Sequence, residues 1–167
     1  IIDSLVVGGV DQGVGSDLDI VGSTLIGNQV DGVVVPALRV AEGAVGFVDS
    51  SALSSSVPVE IEANAGLIVV QSLIPGGQEA IEGVTPDNFA VLGQIIDADP
   101  RFVDPLGPDG LAATWEDNDY RPAPGSPLID SGSGFNVSSQ RDDDLNGNDR
   151  VRDDPTVINT SIGIAPI

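Results

Sequence analysis

Histidine, cysteine, methionine and lysine are all absent from the 167 residues. Without His and Cys there can be no Ser-His-Asp or Cys-His nucleophile, no zinc site of the usual nitrogen and sulfur type, no haem histidine and no thiol redox chemistry. Without Lys there is no Schiff base and no phosphate-loop lysine. The lack of cysteine also means that no disulfide holds the fold, and it fits either a reducing or an oxidising compartment. Base is scarce too: six residues, all Arg, stand against 26 acids, for a formal charge of -20. Phosphate binding needs clustered Lys and Arg, so nucleic acid is excluded as a partner, and an anionic membrane surface would repel the chain. No apolar run approaches the length of a membrane span, which excludes insertion, and Ile1-Ile2-Asp3-Ser4 carries no basic start of a signal peptide. A first residue of Ile and the absence of Met point to a piece of a longer chain.

What remains is carboxylate, hydroxyl and Arg chemistry, with hard cations such as calcium as suitable ligands. The length suits one domain. Only six residues are aromatic (four Phe, one Tyr, one Trp), so the core must be built from Val, Ile, Leu and Ala, which favours strands. Short apolar runs broken by Gly, Ser, Asn and Asp fill the first hundred positions without helical periodicity. The phrase Val21-Gly22-Ser23-Thr24-Leu25-Ile26 recurs as Val48-Asp49-Ser50-Ser51-Ala52-Leu53 and as Val69-Val70-Gln71-Ser72-Leu73-Ile74, with a weaker copy at Asp3-Ser4-Leu5-Val6. Aligning Ser4, Thr24, Ser51 and Ser72 gives spacings of 20, 27 and 21 residues. Irregular spacing in the twenties fits a solenoid with strands in register and loops of varied length. The reading is therefore all-β: a parallel β-helix over residues 1–96, with Leu5, Leu25, Ala52 and Leu73 stacked as one ladder. An antiparallel sandwich with coincidental spacing is the alternative, while a doubly wound fold lacks the helices it would need.

Residues 97–167 change to Asp-, Pro- and Gly-rich sequence with isolated apolar anchors. Asp97-Ala98-Asp99-Pro100-Arg101-Phe102 is followed by Asp119-Tyr120-Arg121-Pro122-Ala123-Pro124-Gly125-Ser126-Pro127-Leu128-Ile129-Asp130-Ser131-Gly132 and then by Asp144-Leu145-Asn146-Gly147-Asn148-Asp149-Arg150. In this order the motifs resemble the carboxy-terminal end of the secreted bacterial right-handed parallel β-helix proteins, the pectin-lyase-like group that often bears a choice-of-anchor Q region. The resemblance implies a right-handed β-helix, a bacterial source, and a secreted or cell-surface location. Pro122 departs from the pattern, which has Leu there, and the chain stops at Ile167 where a closing D-x-G-A-Y-E would follow, so truncation at both ends of the parent chain is expected. The tail reads as an irregular C-terminal cap over an otherwise open edge, with Phe102, Trp115, Tyr120, Leu128 and Ile129 as its plugs rather than as sugar-stacking rings.

Asp pairs two residues apart occur at Asp17/Asp19, Asp97/Asp99, Asp117/Asp119 and Asp142/Asp144. On a strand such a pair shares one face, which either glycoside hydrolysis or calcium binding would use. Three of the four pairs lie in or beside the tail, so no catalytic residues are assigned. The best chemical motif runs from Asp142 to Asp153: Asp142, Asp144 and Asn146 take loop positions 1, 3 and 5, Gly147 the turn, and Asp153 position 12, giving a candidate calcium site at Asp142, Asp144, Asn146 and Asp153. The alternative there is an Asp-Gly turn with Asp144 paired to Arg150 or Arg152. Asn136-Val137-Ser138 and Asn159-Thr160-Ser161 are glycosylation triplets with little weight. The function expected is a non-catalytic structural or adhesive solenoid, calcium-stabilised and able to associate with its own copies as a homo-oligomer or filament, or to bind polysaccharide. The alternative is a fragment of a polysaccharide-active lyase or hydrolase.

Overall fold

The computed structural model describes residues 1–111, 114–133 and 154–160. The apolar runs become short strands that return in repeated circuits. The first holds β1 (Leu5–Val7), β2 (Val10–Gln12) and β3 (Asp17–Val21). The second holds β4 (Thr24–Ile26), an antiparallel hairpin of β5 (Asn28–Val30) and β6 (Val33–Val35), then β7 (Leu38–Val40) and β8 (Val45–Asp49). The third holds β9 (Ala52–Ser54), β10 (Val59–Ile61) and the front of β11 (Gly66–Leu73). The end of β11 opens the fourth, which continues through a short 3-10 turn at Gly77–Ala80 to β12 (Ile81–Glu82) and β13 (Phe89–Ile96). An antiparallel pair, β14 (Phe102–Asp104) and β15 (Asp119–Pro122), follows.

Pairing between circuits is parallel throughout: β1 with β4, β4 with β9, and β9 with the end of β11; β2 with β7, β7 with β10 and β10 with β12; β3 with β8, β8 with β11 and β11 with β13. The chain is thus all-β and mostly parallel, and its largest sheet curls because β11 runs through a corner at Gln71 and pairs on both sides of it.

Parallel register stacks like residues at about 4.8 Å, so apolar positions become continuous inward rows. Val10, Leu38, Val59 and Ile81 form one row, and Ile20, Val48 and Val69 another, with Val91 in register but exposed. Leu25, Leu38, Val48, Leu53, Val59, Leu67, Val69 and Ile74 are wholly or almost wholly buried in a single apolar cluster. At roughly 1.5–3 kcal/mol for each buried aliphatic side chain, these rows supply most of the drive to fold.

Between these rows the corners are tied by serine. The backbone N–H of Ser4 donates to Ser23 Oγ (3.2 Å, 19 residues apart), that of Ser23 to Ser51 Oγ (3.1 Å, 28 apart), and that of Ser51 to Ser72 Oγ (3.1 Å, 21 apart). Each hydroxyl in turn donates to the carbonyl two residues earlier: Ser4 to Ile2, Ser23 to Val21, Ser51 to Asp49, Ser72 to Val70. The β5–β6 hairpin accounts for the long middle spacing.

One expectation is corrected. The ladder of Leu5, Leu25, Ala52 and Leu73 is out by one place in the second circuit. Leu5 pairs with Thr24, Thr24 with Ala52 and Ala52 with Leu73, whereas Leu25 lies in register with Val6 and Leu53 inside the core. The hydroxyl that matches Ser4, Ser51 and Ser72 is Ser23, because Thr24 projects to the opposite face of its strand. This row faces outward, and Leu5 is 42% exposed. Of the tail expected as an end cap, residues 112–113, 134–153 and 161–167 lie outside the described residues, and described ones meet the flank of the circuits. Phe102 and Tyr120 line a crevice beside Ile26 and Ser54, and Ser133 and Thr160 reach the corners at Ser50 and Gln71. Phe102 and Tyr120 do pack edge to face at 5.5 Å, Leu128 and Ile129 are half-buried, and the side chain of Trp115 lies outside the described positions.

Replacing Ser51 with Ala removes an acceptor from the Ser23 N–H in a site closed to water, and should cost about 1–3 kcal/mol in urea unfolding, whereas Thr24→Ala should cost less than about 0.5 kcal/mol. Equal losses would place the tie at Thr24.

Candidate functional site

Asp142, Asp144, Asn146 and Asp153, the residues expected to hold calcium, lie outside the described residues. The segment containing them is held at each edge. Ser133 N–H donates to Ser50 Oγ at 2.6 Å, and Asp154 N–H donates to Asp130 Oδ2 at 3.1 Å. Asp130 is 1% exposed, and among the described residues its other oxygen, Oδ1, has no hydrogen-bond partner. Among the described residues no three metal-ligating side chains converge.

The remaining Asp pairs serve separate local roles. Asp17 and Asp19 share the exposed face of β3, each in register with an uncharged neighbour, Val45 and Phe47. Asp97 accepts the Gly76 N–H at 2.7 Å and Asp99 that of Arg101 at 2.9 Å, so both pin turns. Asp119 forms a forked pair with Arg121, which holds its carboxyl down to about 2, mainly through the side-chain hydrogen bonds. The Thr114 hydroxyl and Leu111 N–H lower the Asp109 carboxyl in the same way.

The motifs of the tail fit one another. The Ser126 hydroxyl donates to Pro100 O and accepts Leu128 N–H, Arg101 Nη1 donates to Gly125 O at 3.2 Å, and Ala123 N–H donates to Arg101 O at 2.8 Å. Asp-Pro-Arg-Phe and Gly-Ser-Pro-Leu-Ile-Asp are therefore two sides of one folded unit.

Two surface features were not anticipated. The first is a charged row across β2, β7, β10 and β12, in which Asp11, Arg39, Glu60 and Glu82 stand in register. Arg39 reaches Glu60 at 3.5 Å and Glu62 at 2.7 Å, offsetting carboxylates that would otherwise repel at strand spacing. The second is a groove of about 540 Å³ between the corner loops of the third and fourth circuits, lined by Glu62, Asn64, Thr85, Asp87 and Asn88. Asn88 is engaged in its own loop, accepting Thr85 N–H and donating to Gly83 O, and Glu62 accepts Glu42 N–H as well as Arg39. Stacked strands bring these residues together from distant positions; the in-register row could have been found by aligning the circuits, but the groove had no local signal.

No protein-family model matches the chain, and neither curated proteins nor solved structures contain a significant match. Among the described residues no helix is long and apolar enough to cross a membrane.

The depressed Asp119 carboxyl contributes stability that is present above its ordinary value of 3.8 and is lost as pH falls toward about 2. An NMR titration should place its midpoint near 2, returning toward 3.8 in Arg121→Gln. The same midpoint in both proteins would show that the pair does not form in solution.

Proposed function

We propose that the chain is a non-catalytic structural or adhesive region of a large secreted or cell-surface bacterial protein, built as a right-handed parallel β-helix with the flank segment as its irregular terminal part. The observation that carries this reading is the repeated parallel register, in which four circuits stack with the serine of each tied to the next. A stack of this kind gains stability circuit by circuit and presents long rows of side chains, which suits a spacer or an extended contact surface. The order of the tail motifs and their mutual packing support the kinship with the pectin-lyase-like group. High acidity keeps such a surface soluble and draws divalent cations to it. Calcium held by Asp142, Asp144, Asn146 and Asp153 would relieve the repulsion among carboxylates, and neighbouring copies could associate through unpaired strand edges.

A second reading, a fragment of a polysaccharide-active enzyme, is favoured by the groove at Glu62 and Asp87, whose size suits a short stretch of glycan and which carries two carboxylates. Incubation with acidic and neutral polysaccharides, assayed for new reducing ends and for the ultraviolet absorbance of unsaturated uronate, separates the two: any turnover abolished by Glu62→Gln or Asp87→Asn would establish the enzyme.

For the structural reading, millimolar calcium should raise the melting temperature by several degrees beyond sodium at matched ionic strength, because screening is not ion-specific whereas a cation held only by the folded state stabilises by about 2.7 kcal/mol at a hundredfold excess over Kd. Asp142→Asn with Asp144→Asn should erase the difference. Identical effects of the two cations would remove calcium from the proposal, and light scattering in the same buffers reads self-association.

A further inference from the structure

The same corner is built five times, and its leading residue has left-handed φ each time: Asp3 (φ 50°), Gly22 (55°), Ser50 (50°), Gln71 (38°) and Gly93 (87°). Register places Gly22, Ser50 and Gln71 side by side, and Gly93 sits in the bulge opposite Gln71. Glycine takes this conformation freely, whereas a residue with a side chain is strained in it, Ser and Gln more so than Asp. Neighbouring circuits use glycine, so the third and fourth retain strain that a single substitution would relieve. Retained strain of this kind points to a role for the side chain.

Both strained side chains do the same thing. Ser50 Oγ accepts the Ser133 N–H at 2.6 Å, and Gln71 Nε2 donates to Thr160 O at 2.9 Å while its Oε1 accepts Gln94 N–H at 3.3 Å. Thr160 N–H in turn donates to Asp130 O at 2.8 Å. We propose that Ser50 and Gln71 are a two-point latch that holds residues 126–133 and 154–160 as a strap across the flank, and that the strap opens as a unit while the stack beneath it stays folded. The interface explains why such opening is local. The strap's fully buried described residues are Ser126, Asp130, Ser131 and Ser133, with Leu128 and Ile129 only half-buried, whereas the circuits are held by continuous rows of fully buried Leu, Ile and Val. Ala52 and Leu73, in the same outward row as Leu5 at 42%, are 2% and 1% exposed.

Amide hydrogen exchange on the full 167-residue chain tests the latch. Ser50→Gly and Gln71→Gly remove the latch side chains and at the same time relieve the corners. Protection at Ser133 and Thr160 should fall at least tenfold in the double variant, while Val48, Leu53 and Val69 keep theirs or gain. Ser50→Ala, which loses the hydroxyl but keeps the corner strain, should lower protection at both Ser133 and Thr160, by less than the double variant does. The proposal is overturned if Ser133 and Thr160 keep their protection in the double variant, or if strap and stack lose protection together, which would make them one cooperative unit.

Discussion

The buried serine at each corner is the interaction on which the stack depends. A circuit that turns sharply leaves the backbone N–H at its bend without a strand partner, and a buried unpaired N–H costs as much as a lost hydrogen bond. One hydroxyl resolves this twice, donating within its own circuit and accepting from the circuit before it. The register of Ser23, Ser51 and Ser72 then fixes which apolar residues lie above one another, because a slip of one residue would send every inward side chain outward. Loops elsewhere are free to vary, and the β5–β6 hairpin enters the second circuit without disturbing the corner.

The charge of -20 is accommodated by keeping carboxylates outside or bonding them locally. Where strand stacking brings Asp11, Glu60 and Glu82 into one row, Arg39 stands among them. The other two arginines among the described residues are also committed, Arg101 to Gly125 O and Arg121 to Asp119. The buried carboxylates are different. Asp49 accepts the Ser50 hydroxyl and Asp130 accepts the Asp154 N–H, so both act through hydrogen bonds at the joint between strap and stack.

That joint links sequence motif to architecture. The tail's Ser126, Arg101 and Ala123 close it into a unit of its own, and this unit lies beside Ile26 and Ser54 of the second and third circuits. Among the described residues β13 pairs with β11 alone. Val91 and Leu92 are exposed there, in contrast to their buried register partners Val69 and Val70.

The sequence by itself determined the strand content, the repeat and its hydroxyl, the all-β class and the exclusion of whole families of chemistry, because composition and the order of small, polar and apolar residues act locally. It also placed the change of character near residue 97, where the repeats give way to the tail motifs. It left open whether Ser23 or Thr24 carries the tie, since adjacent hydroxyls look alike until alternation assigns one to each face of the strand. Only tertiary structure decided that Ser133 and Thr160 of the tail meet the corners at Ser50 and Gln71, that Arg39 falls among Asp11, Glu60 and Glu82, and that Ser50 and Gln71 occupy positions where their neighbours have glycine. Each of these depends on which segment lies against which, and that is set by hydrogen bonds between residues 19 to 89 apart, distances over which no local preference acts.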